Sequence, residues 1–176
     1  MKKNNKYTQI KDQKIGQILG INVNGTSITK LLARVEEFIS CNVKFYIVTP
    51  NPELVLMAQK DKNLKNAMNG TELTIPDGIG LKFAIPDLQI IKGRELFSEL
   101  IKLANEKGWK VFLLGGLEDE AAIAKLKIVN SLKIGNCKLK IESDGGPKLD
   151  NNARPATEVD KKIEHEAIEK INRFAP

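Results

Sequence analysis

Long apolar runs are missing from this 176-residue chain. No stretch approaches the roughly 18 consecutive apolar residues that a membrane-spanning helix needs, because charged residues, 28% of the total, break up every hydrophobic segment. Cysteine is scarce. Cys41 and Cys137 stand far apart with no C-x-x-C, so neither a stapled scaffold nor a thiolate metal site is supported, and a reducing cytoplasm is expected. The single histidine, His165, excludes a histidine-rich metal centre and the H-E-x-x-H pattern. A Walker lysine motif is absent, and Gly78-x-Gly80 lacks the third glycine of a dinucleotide fingerprint. The basic N-terminus has no apolar run behind it, so it does not read as a secretory signal.

What remains is the composition of an ordinary globular protein, 41% hydrophobic and long enough for about one domain. The net charge of +6 is unevenly placed: residues 1–14 carry a net +4 through Lys2, Lys3, Lys6, Lys11 and Lys14 against Asp12, and the other residues carry +2. Residues 1–16 are therefore expected to form a flexible basic tail, and residues 17–176 a core domain. A nucleic-acid partner would rest on that tail alone, since no basic face studded with aromatics supports it.

Along the core, strands and helices alternate. Ile18–Val23 reads as a strand closed by a turn at Asn24-Gly25, and a helix capped by Thr26 or Ser27 follows, with Ile28, Leu31, Leu32, Val35, Phe38 and Ile39 at helical spacing. Val43–Val48 is rich in β-formers and stops at Thr49-Pro50-Asn51-Pro52. A helical segment with Leu54, Met57, Ala58 and Leu64 comes next, then a brief strand at Leu73–Pro76 and a short helix from Leu81 to Ile85. Leu96–Asn105 is amphipathic and ends at Lys107-Gly108. Lys110–Leu114 reads as a buried strand entering Gly115-Gly116, followed by a helix from Ala121 to Ser131, a strand at Lys138–Glu142, a glycine turn at Asp144-Gly145-Gly146 and a final helix at Val159–Phe174. The alternation predicts an α/β protein, a Rossmann-like sandwich with a mainly parallel sheet and helices on both faces. The amphipathic last helix suits either its own sheet or a second subunit of a homo-oligomer.

Ligands of such folds bind at the carboxyl ends of strands, which selects three loops. Thr49 and Asn51 put a hydroxyl and an amide on a proline-stiffened backbone, suited to orienting a sugar or nucleotide; alternatively, Asn51 simply caps the next helix. Asp77 leaves a strand end between Pro76 and Gly78, where it is either a catalytic carboxylate or a turn-forming or capping aspartate. Gly115-Gly116 precedes a helix N-terminus, a place suited to a diphosphate. Trp109 reads as packing, and His165 as a surface residue.

Taken in order, Ile18-Leu19-Gly20-Ile21, Thr49-Pro50-Asn51-Pro52-Glu53, Thr74-Ile75-Pro76-Asp77-Gly78-Ile79-Gly80, Gly93-Arg94-Glu95-Leu96 and Val111–Gly116 resemble the WecG/TagA/CpsF glycosyltransferase family over roughly residues 17–176. The resemblance implies an inverting, metal-independent enzyme without a cofactor, acting at the inner face of a bacterial membrane in teichoic acid or surface polysaccharide synthesis. Its donor would be a UDP sugar of the N-acetylmannosamine type, and its acceptor N-acetylglucosamine on undecaprenyl diphosphate. Asp77 then matches the proposed base, Thr49 and Asn51 the substrate contacts, and Gly115-Gly116 the nucleotide position. Two departures stand out. The family's arginine three residues before the Gly93 position is replaced by Ile90, which makes Arg94 the candidate substitute. The family pattern also runs on past the last helix into an apolar strand, a glutamine-bearing segment and a basic, membrane-docking appendage, so a C-terminally shortened core, weakly active or inactive by itself, is expected. The alternative is a non-catalytic nucleotide- or sugar-binding module of the same fold.

Overall fold

The computed structural model describes residues 14–116, 119–132, 138–149 and 155–174. The tail lysines up to Lys11, Glu118 and Cys137 lie outside these residues. The chain divides into two compact units after Leu100.

The first unit opens with a hairpin rather than a single strand. β1 (Lys14–Ile18) pairs antiparallel with β2 (Ile21–Asn24), so the expected strand Ile18–Val23 is interrupted by a turn. Leu19 and Gly20 both have positive φ, 49° and 77°, the backbone of a two-residue turn whose twist matches the strands it joins. Lys14 accordingly belongs to a strand and not to a tail. Two asparagines tie this hairpin down: Asn69 accepts from Asn22 N–H and donates to Gly20 O, both at 2.8 Å, and Asn24 accepts from Thr74 N–H at 2.9 Å.

Ser27 caps α1 (Ile28–Ser40), which buries Leu31, Val35 and Phe38 while Ile39 is exposed. Of the expected Val43–Val48 strand only β3 (Ile47–Val48) is paired, in parallel with β4 (Leu73–Thr74). The single helix expected between them is two: α2 (Pro52–Met57) and α3 (Lys62–Asn69), the second started by Asp61, whose carboxylate accepts from the Asn63 and Leu64 N–H groups. That restart leaves Met57 exposed, outside the apolar stripe assigned to it. A 3-10 turn (Ile79–Phe83) precedes α4 (Gly93–Lys107), whose first part closes this unit. Ile18, Ile21, Val23, Val55, Met68 and Leu88 form one core, and Leu31, Phe38, Leu73, Ile75, Ile91 and Leu96 a second.

In the second unit β5 (Lys110–Leu114) and β6 (Lys140–Asp144) pair in parallel along their whole length. Together with α5 (Glu120–Leu132) and α6 (Glu158–Phe174) they complete six α-helices among the described residues. β5 is not the buried strand its sequence suggests. Val111, Phe112 and Leu113 are half-buried and Leu114 is exposed, whereas Ile141 of β6 joins Ile101, Ala104 and Leu139 in the core, with Trp109 packed against it. The protein is thus mixed α/β, with its described strands in three two-stranded ladders, two parallel and one antiparallel.

Candidate functional site

In the first unit, backbone pairing outlasts the short strands. Ile75 N–H donates to Val48 O and Asp77 N–H to Pro50 O, each at 2.8 Å, so the two segments stay side by side up to their loops. Pro76 has no N–H to give, and it falls between these two donors, where none is needed. Its carbonyl accepts from Ile91 N–H at 3.1 Å, which brings the start of α4 alongside. Asp77 therefore emerges beside both Thr49 and Gly93.

The contacts there are close. Asp77 Oδ2 accepts from Gly93 N–H at 2.9 Å, satisfying one of the amides that the α4 N-terminus leaves unpaired. A Cβ at position 93 would lie 2.9 Å from that same oxygen and 3.7 Å from Thr49 Oγ1. Gly78, at φ +107°, packs on the Pro52 ring and on Asn51, and a Cβ at Gly80 would come within 3.0 Å of Pro52 Cγ. The glycines that punctuate the Asp77 loop are thus fitted to Pro52 of the Thr49 loop. Asn51 Oδ1 accepts from Leu54 N–H at 2.8 Å and caps α2. Asn51 thus performs the capping role weighed for it from sequence, whereas Asp77 does not cap the turn that follows it and instead accepts from Gly93 at the start of α4. Among the described residues Asp77 is bonded through Oδ2 alone, which leaves Oδ1 open to an incoming hydroxyl.

Asp77 and Gly93 line a cleft of about 600 Å³. Three cations, Lys82, Lys92 and Arg94, share that lining with Glu95 and with Ile79 and Ile90. Thr49 and Asn51 adjoin Gly93 and Gly78 without lining it. Sequence reasoning found Arg94 and overlooked both lysines. Their signal was faint: Lys92 directly precedes Gly93, and Lys82 lies five residues past Asp77 on a turn read only as a short helix.

Gly115 and Gly116 belong to the second unit. They follow β5 with φ of +106° and +93°, values that L side chains rarely adopt, and a Cβ on Gly115 would meet no atom within 4 Å. Gly145 and Gly146, after β6, line the same cleft of about 1000 Å³, so the segment read as a mere turn is a second wall of it. The rest of the lining is half apolar, with Ile123, Pro147, Leu149 and Ile163, and its charged part is Asp119, Glu120 and Asp160 against Lys148. Asp160 accepts from the Thr157 hydroxyl at 2.6 Å and from Lys148 N–H at 3.1 Å, and these bonds hold its carboxyl below the usual range. The Gly146 N–H and then the Lys170 ammonium do the same for Asp144, and Lys125 does so for Glu142. His165 is exposed on α6, facing Glu169 at 3.6 Å. Among the described residues no group of three or more His, Cys, Asp or Glu is placed to hold a metal ion, and no helix is long and apolar enough to cross a membrane.

A fixed carboxylate beside a cation-lined cleft at one set of strand ends, and paired glycine loops at a second, are set in a mixed α/β protein. The chain belongs to the glycosyl transferase WecG/TagA/CpsF family, whose family model matches residues 16–176. It is similar to an N-acetylglucosaminyldiphosphoundecaprenol N-acetyl-beta-D-mannosaminyltransferase of Bacillus subtilis, 32% identical over 130 residues, or 71% of this chain and 49% of that protein. A Staphylococcus aureus protein of the same name is 28% identical over 115 residues, 61% of this chain and 45% of the relative. The chain spans about half the length of these curated relatives.

Proposed function

We propose that this chain is a glycosyltransferase core of Rossmann-like sandwich architecture. It moves an N-acetylmannosamine-type sugar from a UDP donor to N-acetylglucosamine on undecaprenyl diphosphate, at the inner face of the membrane. The observation that carries this reading is Asp77: a carboxylate anchored through one oxygen by a helix N-terminus, with the other oxygen open beside a cleft, in a chain that matches the family across residues 16–176.

The reaction is a single in-line, inverting displacement. Asp77 Oδ1 takes the proton from the acceptor hydroxyl as that oxygen bonds to the anomeric carbon, and the bond to UDP breaks with its electron pair on the diphosphate. Thr49 and Asn51 hold the loop and orient the sugar. Without a metal, the charge growing on the leaving diphosphate falls to Arg94, which lines the same cleft as Asp77. In Asp77→Asn the shape and the hydrogen bond from Gly93 can persist while the base is lost, so transfer should fall by about 10²–10⁴ with UDP binding retained. Transfer assays and calorimetry with UDP check this, and an undiminished rate would remove Asp77 as the base. The second reading, a binding module without chemistry, is favoured by Ile90, an uncharged residue where the resemblance leads one to expect arginine. It predicts UDP binding and no transfer by either form.

A further inference from the structure

The 3-10 turn Ile79–Phe83 carries the least accounted-for surface of the first unit. Leu81 is buried and anchors the turn, yet Ile79 is 72% and Phe83 95% exposed. Between Leu81 and Phe83, Lys82 lines the Asp77 cleft, as Ile79 does, and Lys92 joins it from the segment before α4. Among the described residues neither lysine forms an ion pair. Two ammonium groups without an ion pair, in a lining where three cations outnumber the carboxylates of Asp77 and Glu95, stand beside two solvent-facing apolar side chains and are complementary to an amphiphile whose head carries more than one negative charge. A nucleoside diphosphate has such a head but no apolar tail. A twofold contact between copies centred on this turn would set Lys82 against Lys82, which costs electrostatic energy.

We infer that this turn docks a polyprenyl diphosphate. Lys82 and Lys92 take the diphosphate at the Asp77 cleft, and Ile79 and Phe83 take the first isoprene units. The choice of lipid rests on the transferase reading, in which the acceptor sugar that reaches Asp77 carries its diphosphate about one ring away. Lys82 and Lys92 thereby select the acceptor, whereas Arg94, the α4 cation of the same lining, serves the donor diphosphate.

The test is calorimetric binding to the full chain of geranyl diphosphate, inorganic diphosphate and UDP. Geranyl diphosphate should bind at least tenfold more tightly than inorganic diphosphate. The double change Lys82→Ala and Lys92→Ala should weaken geranyl diphosphate at least tenfold and leave UDP within twofold. Ile79→Ser with Phe83→Ser should reduce geranyl diphosphate to the level of inorganic diphosphate, and Arg94→Ala should weaken UDP alone. Because these side chains are largely at the surface, unchanged circular dichroism is expected; the single changes Lys82→Gln and Lys92→Gln, each weakening geranyl diphosphate severalfold, give the same reading with less disturbance. Equal binding of geranyl diphosphate by wild type and all variants would overturn the inference. So would lysine changes that weaken UDP but not geranyl diphosphate, or self-association that Phe83→Ser abolishes while lipid binding stays. Geranyl diphosphate binding as expected, with no binding of UDP or of any UDP sugar, leaves this inference standing and removes the transferase reading. Transfer without such binding does the reverse.

Discussion

Gly93 shows how much one missing side chain does. Its hydrogen atom stands where a Cβ would press on Asp77 Oδ2 at 2.9 Å, and its N–H is what holds that oxygen. In Gly93→Ala the carboxylate must rotate away and give up the bond, a loss of about 1.5–3 kcal/mol for a hydrogen bond to a charged group. Transfer should drop at least tenfold while the chain still folds, and urea titration beside transfer rates separates the two. Leu19 is the opposite case, a bulky residue at φ +49° in a turn that prefers Asn-Gly. As Leu19 is largely exposed, Leu19→Asn should relieve strain with little lost burial and stabilise the chain by about 0.5–1 kcal/mol, seen as a higher denaturation midpoint. The sequence showed that Asp77, Gly78 and Gly80 belong to one loop. It could not show that Gly93, sixteen residues on, is the donor that fixes Asp77, since that pairing depends on Ile91 bonding to Pro76.

At the scale of elements, α3 acts as a clip on the hairpin. Asn69 at its C-terminal end bonds to Gly20 in the β1–β2 turn and to Asn22 of β2, and Lys65 donates to Leu19 O at 3.1 Å. Asn69→Ala should therefore cost about 2 kcal/mol, the sum of two ordinary hydrogen bonds, and raise amide exchange in residues 16–24 first. Caps and helix faces were legible where the chemistry is local: Ser27, Asn51 and Gly108 end or begin helices as their types demand. The hairpin was not. Ile18–Val23 alternates in hydrophobicity like one strand, and the reversal inside it rests on a leucine that local preference would not choose. Likewise Lys110–Leu114 reads as interior from composition, yet burial is set by which neighbours cover it, and the described structure leaves it half-open.

For the whole molecule, acid should act unevenly. Among the described residues the carboxyls held below their ordinary values, Glu142, Asp144 and Asp160, all lie after Leu100. A depressed folded-state pKa contributes stability that is fully present above the unfolded value and is lost as pH falls through the folded one. Residues 101–176 should hence lose protection as pH drops below the ordinary values of 4.5 for Glu142 and 3.8 for the two aspartates, before residues 14–100 do. Hydrogen exchange followed by unit from pH 6 to pH 2 checks it, and Asp160→Asn should flatten the dependence.

By itself the sequence determined the mixed α/β character, most helix faces, the strand-end loops and the family, because each is written in local periodicity or in ordered motifs. Tertiary structure alone decided that Pro52 fits against Gly78 and Gly80, that Lys82 and Lys92 line the cleft of Asp77, and that Gly145-Gly146 and Gly115-Gly116 line one cleft. These groups are far apart along the chain, and parallel pairing joins them through backbone hydrogen bonds, which every residue but proline can supply and which therefore leave little trace in residue type.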